Sequence, residues 1–309
     1  MGRTLLSRPT TNSTGTLISA SCDHTVRFWD ALSEQGEPGK VVLNGVARTS
    51  VVGLNAKPPK APEPLEVTLI VQKPIRVLTA HREWVHGLTL TPDGKTLITG
   101  DDKGVVIAWD LPTGKERRRW QGKFWARALG VSPDGKTVAT SEYFSLRHPE
   151  KEKDSYRSFR FWDVETGEPK LDCSKEIKET MTAIRYSADG KWLVVCAGDG
   201  GQEKPKGNVM LLDPNTGKVI RELAPPHLLG ATDLAFHPDG KHLFSSGRDQ
   251  LVKAWRLEDG KHVRDFGTAK ERGDWISGIS ISPDGRLLAA ADMAGQILIY
   301  SLSATRQCS

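Results

Sequence analysis

The sequence predicts an all-β protein: a seven-bladed β-propeller of four-stranded antiparallel blades, forming one domain over residues 1–309. Two recurring features predict this fold. A turn of the Pro-Asp-Gly type recurs at intervals of 41 to 55 residues, and an alternating strand that commonly ends in Trp-Asp follows it. A repeat of about 40 to 45 residues with this ending is typical of propeller blades. The turns stand at 91–94, 132–135, 187–190, 237–240 and 282–285.

Each turn is chemically suited to join two antiparallel strands. Proline presets φ, aspartate bonds the nearby backbone, and glycine accepts the left-handed conformation that closes the turn. A short apolar run follows, such as TLITG at 96–100, and then a strand such as VIAWD at 106–110. A weaker copy of the turn, NSTGTLISAS at 12–21, precedes VRFWD at 26–30. The sequence therefore predicts consecutive strands of one sheet at each repeat.

The number of blades depends on residues 31–80. Trp29 and Trp109 lie 80 residues apart, about twice the repeat. The interval contains strand-like runs, including LEVTLIV at 65–71, and we interpret 45–80 as a degenerate second blade. The alternative is a long insertion in the first repeat. With the degenerate blade, the blades span about 1–44, 45–80, 81–120, 121–172, 173–223, 224–266 and 267–309.

Two segments resemble the WD-repeat family: SCDHTVRFWD at 21–30 and SGRDQLVKAW at 246–255. The resemblance covers the chain outside 31–80, and the regular turns suggest a bacterial-type array. It implies a buried network in each blade that joins a His, a Ser or Thr, an Asp and a Trp. Carried over by position, the implied members are His227, Ser245, Asp249 and Trp255; Ser19, Asp23 and Trp29; and His81, Thr99 and Trp109.

Two of these sets are incomplete. Nothing precedes Ser19 that could supply the His, and Lys103 stands where the Asp after Thr99 is expected, with Asp102 one position off. Buried polar groups must pair with one another, so these residues are interpreted as structural. A His-Ser-Asp set alone would suggest a hydrolase, but its place in a repeat argues against catalysis.

No catalytic motif is present. The sequence contains no H-E-x-x-H, P-loop or G-x-S-x-G motif, and its eight histidines show no metal-binding spacing. We expect a non-catalytic scaffold with no cofactor or metal, which binds a protein or peptide partner. Two alternatives remain open: a recognition module of a larger polypeptide or complex whose catalytic part lies elsewhere, and an enzyme built on the central channel.

Aromatic residues mark a candidate binding surface. Trp84, Trp125 and Trp275 stand eight residues before the turn proline of their repeats, and His86 and Arg127 stand six before it. In a WD propeller these positions open the innermost strand and ring one mouth of the channel. Trp and Arg are enriched in binding hot spots. Alternatively, each Trp packs under the loop between two blades.

Two enlarged loops, at 141–158 and 198–207, are expected at the same edge. The first carries Tyr143, Phe144 and Tyr156, which are further candidates for partner contact because loops on rigid scaffolds commonly carry recognition. Simple solvated extensions are the alternative.

Charge, cysteine content and hydropathy limit the kinds of partner and environment that the sequence predicts. The net charge of +5 is mild, and the basic run KERRR at 115–119 is interpreted as a solvated face, so we do not expect nucleic acid as a partner. The four cysteines form no C-x-x-C pair, and we expect thiols outside any disulfide or small core residues. No apolar run is long enough for a signal peptide or a membrane helix, so we expect a cytoplasmic protein without membrane insertion.

The end of the array predicts a weak closure. After ILIYS at 297–301 only LSATRQCS follows, which shows no apolar alternation. We therefore expect a last blade with a weak or missing outer strand, and a seam with the first blade that is the least stable region.

Overall fold

The computed structural model describes residues 7–11, 16–30, 37–43, 65–71, 73–144, 156–175, 177, 180–198, 208–267 and 274–302. These residues form an all-β propeller of six antiparallel sheets, called blades I to VI, together with one two-stranded hairpin. Within the described ranges, no helix is long and apolar enough to cross a membrane.

The strands follow one another in chain order. Blade I contains β1 (Ser7–Thr11), β2 (Thr16–Ala20), β3 (Val26–Asp30) and β6 (Arg76–Leu78), and the hairpin contains β4 (Glu37–Leu43) and β5 (Leu65–Val71). Blade II contains β7 (Val85–Leu90), β8 (Thr96–Asp101), β9 (Val105–Asp110) and β10 (Lys115–Gln121). Blade III contains β11 (Trp125–Val131), β12 (Thr137–Phe144), β13 (Tyr156–Asp163) and β14 (Pro169–Asp172).

The remaining blades repeat this order. Blade IV contains β15 (Met181–Tyr186), β16 (Leu193–Ala197), β17 (Val209–Leu212) and β18 (Val219–Glu222). Blade V contains β19 (Ala231–Phe236), β20 (His242–Gly247), β21 (Val252–Arg256) and β22 (His262–Phe266). Blade VI contains β23 (Ile276–Ile281), β24 (Leu287–Asp292) and β25 (Ile297–Ser301).

The recurring turns connect the first and second strands of blades II to VI. In the turn of blade II, the Thr91 hydroxyl donates to Asp93 Oδ1 at 2.6 Å, and the same carboxylate oxygen accepts the Lys95 amide at 3.0 Å. Gly94 has a φ of +66°, which an L side chain rarely adopts. The residues that recur in the sequence are therefore the ones that close the hairpin.

The prediction of seven blades is wrong, because the described strands within residues 45–80 belong to two different sheets. Residues 76–78 are instead the fourth strand of blade I, where Leu78 pairs with Val26. The strand-like run at 65–71 pairs with residues 37–43 in the hairpin β4–β5. The doubled spacing between Trp29 and Trp109 thus reflects an insertion between the third and fourth strands of blade I, the alternative that the sequence left open.

Five clusters of buried side chains join successive blades. Ile18 and Phe28 of blade I pack with Leu97 and Trp109 of blade II in one cluster. Equivalent clusters join II to III, III to IV, IV to V and V to VI. Because blade I packs directly on blade II, no further blade lies between them.

Blade VI differs from the other five. Its sheet contains three strands among the residues that the structure describes, with β25 at its edge. One of its faces packs on blade V through Leu288 and Ala290. The opposite face carries Ile297 and Ile299, which are 68% and 58% exposed. The described residues contain no apolar cluster between this face and blade I.

Candidate functional site

The loop face is the edge of the ring where the inner strands begin. At this edge, an amide of the loop between the second and third strands donates to the carbonyl of the residue that precedes the inner strand. The four bonds run from Asp102 to Trp84 at 3.0 Å, Gly198 to Thr180 at 3.1 Å, Arg248 to Gly230 at 2.9 Å and Met293 to Trp275 at 2.9 Å. The repeated bond brings equivalent positions of blades II, IV, V and VI to one edge.

Two of the three predicted tryptophans are open to solvent there. Trp84 is 49% exposed and Trp275 is 44% exposed, whereas Trp125 is half-buried as the first residue of β11. Trp84 meets the ring of His86 edge-on, with 6.2 Å between the ring centroids. The alternative of a tryptophan packed beneath the loops does not describe Trp84 or Trp275.

The channel mouth lies just inside this edge. A cavity of about 230 Å³ is lined there by residues that include His86, Arg127 and Ser277. The His86 imidazole lies 3.1 Å from the Asp102 carboxylate, and Arg127 is exposed and forms no ion pair within the described ranges. The mouth therefore offers one uncompensated guanidinium to a partner.

Two further mouth positions serve the propeller itself. The Thr182 hydroxyl donates to the Ala231 carbonyl at 2.8 Å, and the Thr232 hydroxyl donates to the Ile276 carbonyl at 2.7 Å. Each bond links the inner strand of one blade to that of the next. These threonines thus couple blades IV, V and VI.

The structure adds an apolar patch that the sequence analysis missed. It consists of Leu228, Leu229, Trp275 and Met293, of which Leu228 is the most exposed at 73%. The Arg248 guanidinium carbon lies 5.0 Å from the centre of the Trp275 ring, a cation–π geometry. The signal was HLLG at 227–230, two leucines in a connection where polar residues are usual.

The candidate aromatics of the enlarged loop are only partly described. The backbones of Tyr143 and Phe144 lie at the end of β12, and that of Tyr156 begins β13, where Phe144 pairs with Tyr156. Their side chains, and residues 145–155 and 199–207 of the two loops, lie outside the described residues.

The implied network of blade V lies beneath the loop face. His227 Nδ1 is 2.8 Å from Asp249 Oδ1, and His227 Nε2 is 2.8 Å from Ser245 Oγ. The Trp255 indole donates to the same Ser245 Oγ at 2.8 Å. Burial raises the pKa of Asp249, but its hydrogen bond and charge interaction with His227 lower it, and the net effect is a lowered pKa. Because His227 is fully buried, this set is not placed to meet a substrate.

Blade II forms the same network with a different carboxylate. His81 Nδ1 lies 2.8 Å from Asp101 Oδ2, His81 Nε2 lies 2.7 Å from Thr99 Oγ1, and the Trp109 indole donates to Thr99 Oγ1 at 2.8 Å. The partner is thus Asp101, the last residue of β8, and neither position 103 nor Asp102. In blade I the Trp29 indole donates to Ser19 Oγ at 2.9 Å, while Asp23 binds Thr25 and Arg27 near the surface.

The basic run at 115–119 lies within β10, and two of its four cations form ion pairs. Arg117 pairs with Glu165 at 3.1 Å, and Arg119 pairs with Glu116 at 2.7 Å. The run therefore does not present an array of uncompensated cations.

Comparison with known proteins identifies four repeats. The family described as "WD domain, G-beta repeat" matches residues 10–30, 72–110, 217–256 and 261–301. Three of these matches end at or just after the third strand of blades I, II and V, and the fourth ends with β25.

The proteins to which this chain is similar include three from eukaryotes. The target of rapamycin complex subunit wat1 of Schizosaccharomyces pombe is 25% identical over 261 residues, which cover 79% of this chain and 74% of that protein. Autophagy-related protein 16 of Arabidopsis thaliana is 27% identical over 70% of this chain but 39% of its own length. Actin-interacting protein 1 of Drosophila melanogaster is 25% identical over 75% of this chain and 41% of its own length. The expectation of a bacterial-type array is not supported.

Proposed function

We propose that this chain is a WD-repeat β-propeller and a non-catalytic scaffold that binds a protein partner at the loop face. The four matched repeats and the bladed sheets support the family. Its relatives include a subunit of a target of rapamycin complex, which supports a role in assembly. The observation that carries the proposal is the exposure of two tryptophans at the loop face, Trp84 and Trp275, the second of them within the apolar patch.

The chemistry of the loop face defines the partner. Contiguous exposed apolar side chains on a protein surface commonly mark interaction sites. Arg248 borders the patch and Arg127 lies at the channel mouth, and neither forms an ion pair within the described ranges. The partner is therefore a protein segment that combines apolar side chains with acidic groups.

The test replaces Trp84, Arg127 and Trp275 by alanine. Their side chains lie at the loop face, so we expect capture of the partner to be lost while the thermal melt stays near that of the parent. Ile220 and Val263 are matched controls, because both are exposed apolar residues on outer strands away from the loop face. Their alanine variants should retain capture. If all variants capture equally, the binding surface lies elsewhere.

A second proposal is that the chain supplies recognition to a larger polypeptide or complex whose catalytic part lies elsewhere. It is favoured by the relatives of which the matched part covers less than half the protein. An antibody against the propeller would detect, in the native cell, a product larger than 309 residues or a stable complex with an enzyme. Detection of an uncomplexed product of this length would oppose this proposal and leave the scaffold intact.

A further inference from the structure

Three metal-ligating side chains converge in the turn of blade V, at the edge of the ring opposite the loop face. They are His237, Asp239 and His242, which we call the turn triad. One ligand atom from each lies within 4.8 Å of the other two. The side chains are 20%, 33% and 37% exposed, so a hydrated ion can reach them.

The turn of blade V differs at its first position from the equivalent turns of blades II, III, IV and VI, which we call the sister turns. Those turns carry Thr91, Ser132, Ser187 or Ser282, whose hydroxyls donate to the turn aspartate. In blade V an imidazole replaces the hydroxyl, while Asp239 still accepts the amides of Lys241 and His242 at 2.8 and 3.1 Å. The turn thus keeps the hydrogen bonds that close it and has an imidazole nitrogen in place of the hydroxyl.

The hydrogen bonds of His237 set its tautomer. Its Nε2 lies 2.9 Å from the Gly285 carbonyl, which can only accept, so Nε2 carries the proton. Its Nδ1 lies 3.2 Å from the Asp239 amide, a long hydrogen bond in which the nitrogen accepts, so Nδ1 is the unprotonated nitrogen. A metal on Nδ1 would replace this hydrogen bond. A histidine that binds a metal through one ring nitrogen commonly donates its other ring N–H to a backbone carbonyl.

The same nitrogen faces a carboxylate. His237 Nδ1 lies 3.1 Å from Asp239 Oδ1. In the neutral tautomer these two acceptor atoms face each other, whereas a ring protonated on both nitrogens would donate to the carboxylate. The second oxygen of Asp239 lies 2.7 Å from His242 Nδ1. Burial raises the pKa of Asp239. Hydrogen bonds with the His242 side chain, the amides of Lys241 and His242 and the His237 side chain lower this pKa, to about 2, so the carboxylate is charged at neutral pH. A cation among the three groups would relieve the contact.

We propose that the turn triad binds a divalent zinc ion through one atom each of His237, Asp239 and His242. Two imidazoles and a carboxylate suit Zn²⁺, which binds nitrogen and oxygen in a tetrahedral shell whose fourth position water would fill. Ca²⁺ and Mg²⁺ prefer oxygen ligands and are disfavoured. The spacing of histidines alone does not predict this site, because its third ligand is the aspartate between His237 and His242.

Zinc binding would act on the contact between blades V and VI. Gly285 belongs to the turn of blade VI, and a Cβ built on it would lie 2.7 Å from His237 Nε2. The His237 ring therefore rests against the neighbouring blade. A metal on Nδ1 makes the Nε2 proton a stronger donor to the Gly285 carbonyl, and we expect Zn²⁺ to raise the melting temperature.

The test is calorimetric titration of chelator-treated protein with ZnCl₂ alone. We expect one high-affinity site, which His237→Ser and His242→Thr should each weaken at least tenfold. Both substitutions restore residues found at these positions in sister turns, Ser132 and Thr137, so both variants should fold and melt like the metal-free parent. His262→Thr is the control, because His262 pairs with one aspartate, Asp265, at 2.7 Å and should not affect the site.

Nitrogen-15 spectra of the imidazoles provide a direct second measurement. We expect Zn²⁺ to shift the Nδ1 resonance of His237. The proposal fails if the parent binds Zn²⁺ no more tightly than the variant with both histidines replaced. It also fails if His237 is protonated on both nitrogens at neutral pH and Zn²⁺ leaves its resonances unchanged, because a proton then occupies the place assigned to the metal.

Discussion

At the scale of single residues, the buried network of blade V is the sharpest test of what stabilises a blade. The Trp255 indole donates to Ser245 Oγ, which also contacts His227. Trp255→Phe removes this donor from a fully buried site, and we expect it to lower the free energy of unfolding by about 1–3 kcal/mol. Urea denaturation measures the change.

Trp84→Phe is the matched control for this prediction. Trp84 is half-exposed at the loop face and is not part of a buried network. We expect its replacement to change the free energy of unfolding by less than about 0.5 kcal/mol. Equal losses in the two variants would count against the assigned network.

The residue types of such a network can be predicted from the sequence. The particular residue that supplies the carboxylate is harder to predict. The spacing of Ser245, Asp249 and Trp255 follows the repeat, and the structure brings them together with His227. In blade II the carboxylate comes from Asp101, two positions before the expected one. A hydrogen bond requires a side-chain atom at the right place, and residues at different backbone positions can supply it. Position in a repeat therefore does not identify the partner uniquely.

At the scale of single elements, the turns make an acid-sensitive contribution to stability. In the turn of blade III, hydrogen bonds from Ser132 and the Lys136 amide lower the pKa of Asp134. A lowered native pKa means that the unfolded state binds more protons, so the contribution is present above the unfolded value near 3.8 and is lost as pH falls through the native value. We expect the free energy of unfolding to fall below pH about 4. Asp134→Asn should make this fall shallower in urea titrations at a series of pH values.

The equivalent turn of blade IV tests whether the turn aspartates cause this acid sensitivity. Hydrogen bonds to Ser187 and the Lys191 amide lower the pKa of Asp189 in the same way. Asp189→Asn should reduce the acid dependence to a similar extent, and the double variant should reduce it further. An unchanged acid slope in all three variants would show that other carboxylates govern it.

The hairpin β4–β5 is the element that the sequence could not place. The strand β5 (LEVTLIV) is largely apolar, and β4 (EPGKVVL) is apolar only in its last three residues, so the sequence indicates strands but not their partners. Replacing residues 31–74 by the short connection LEDG of blade V (257–260) should leave blade I folded, because β6 would still pair with β3. We expect a cooperative melt with a small shift in midpoint. Loss of the folded state would mean that the hairpin supports the ring.

At the scale of the whole molecule, the open side of blade VI should be the least protected region. The strand β25 pairs only with β24 among the described strands, whereas β9 of blade II pairs with strands on both sides. We therefore expect amides of 297–301 to exchange with deuterium earlier than those of 105–110. Equal protection would indicate that something covers the edge in solution.

The exposed face of the same blade gives the last prediction. Ile297 and Val252 occupy equivalent repeat positions, five residues after the last residue of the second strand, but Ile297 is 68% exposed and Val252 is fully buried between blades V and VI. Val252→Lys places a charge among apolar side chains and should lower the free energy of unfolding by roughly 3 kcal/mol or more. Ile297→Lys should change it by less than about 0.5 kcal/mol, because the ammonium group stays in water. Comparable losses in the two variants, measured by urea denaturation, would contradict an open face and would show that Ile297 is covered in the folded protein.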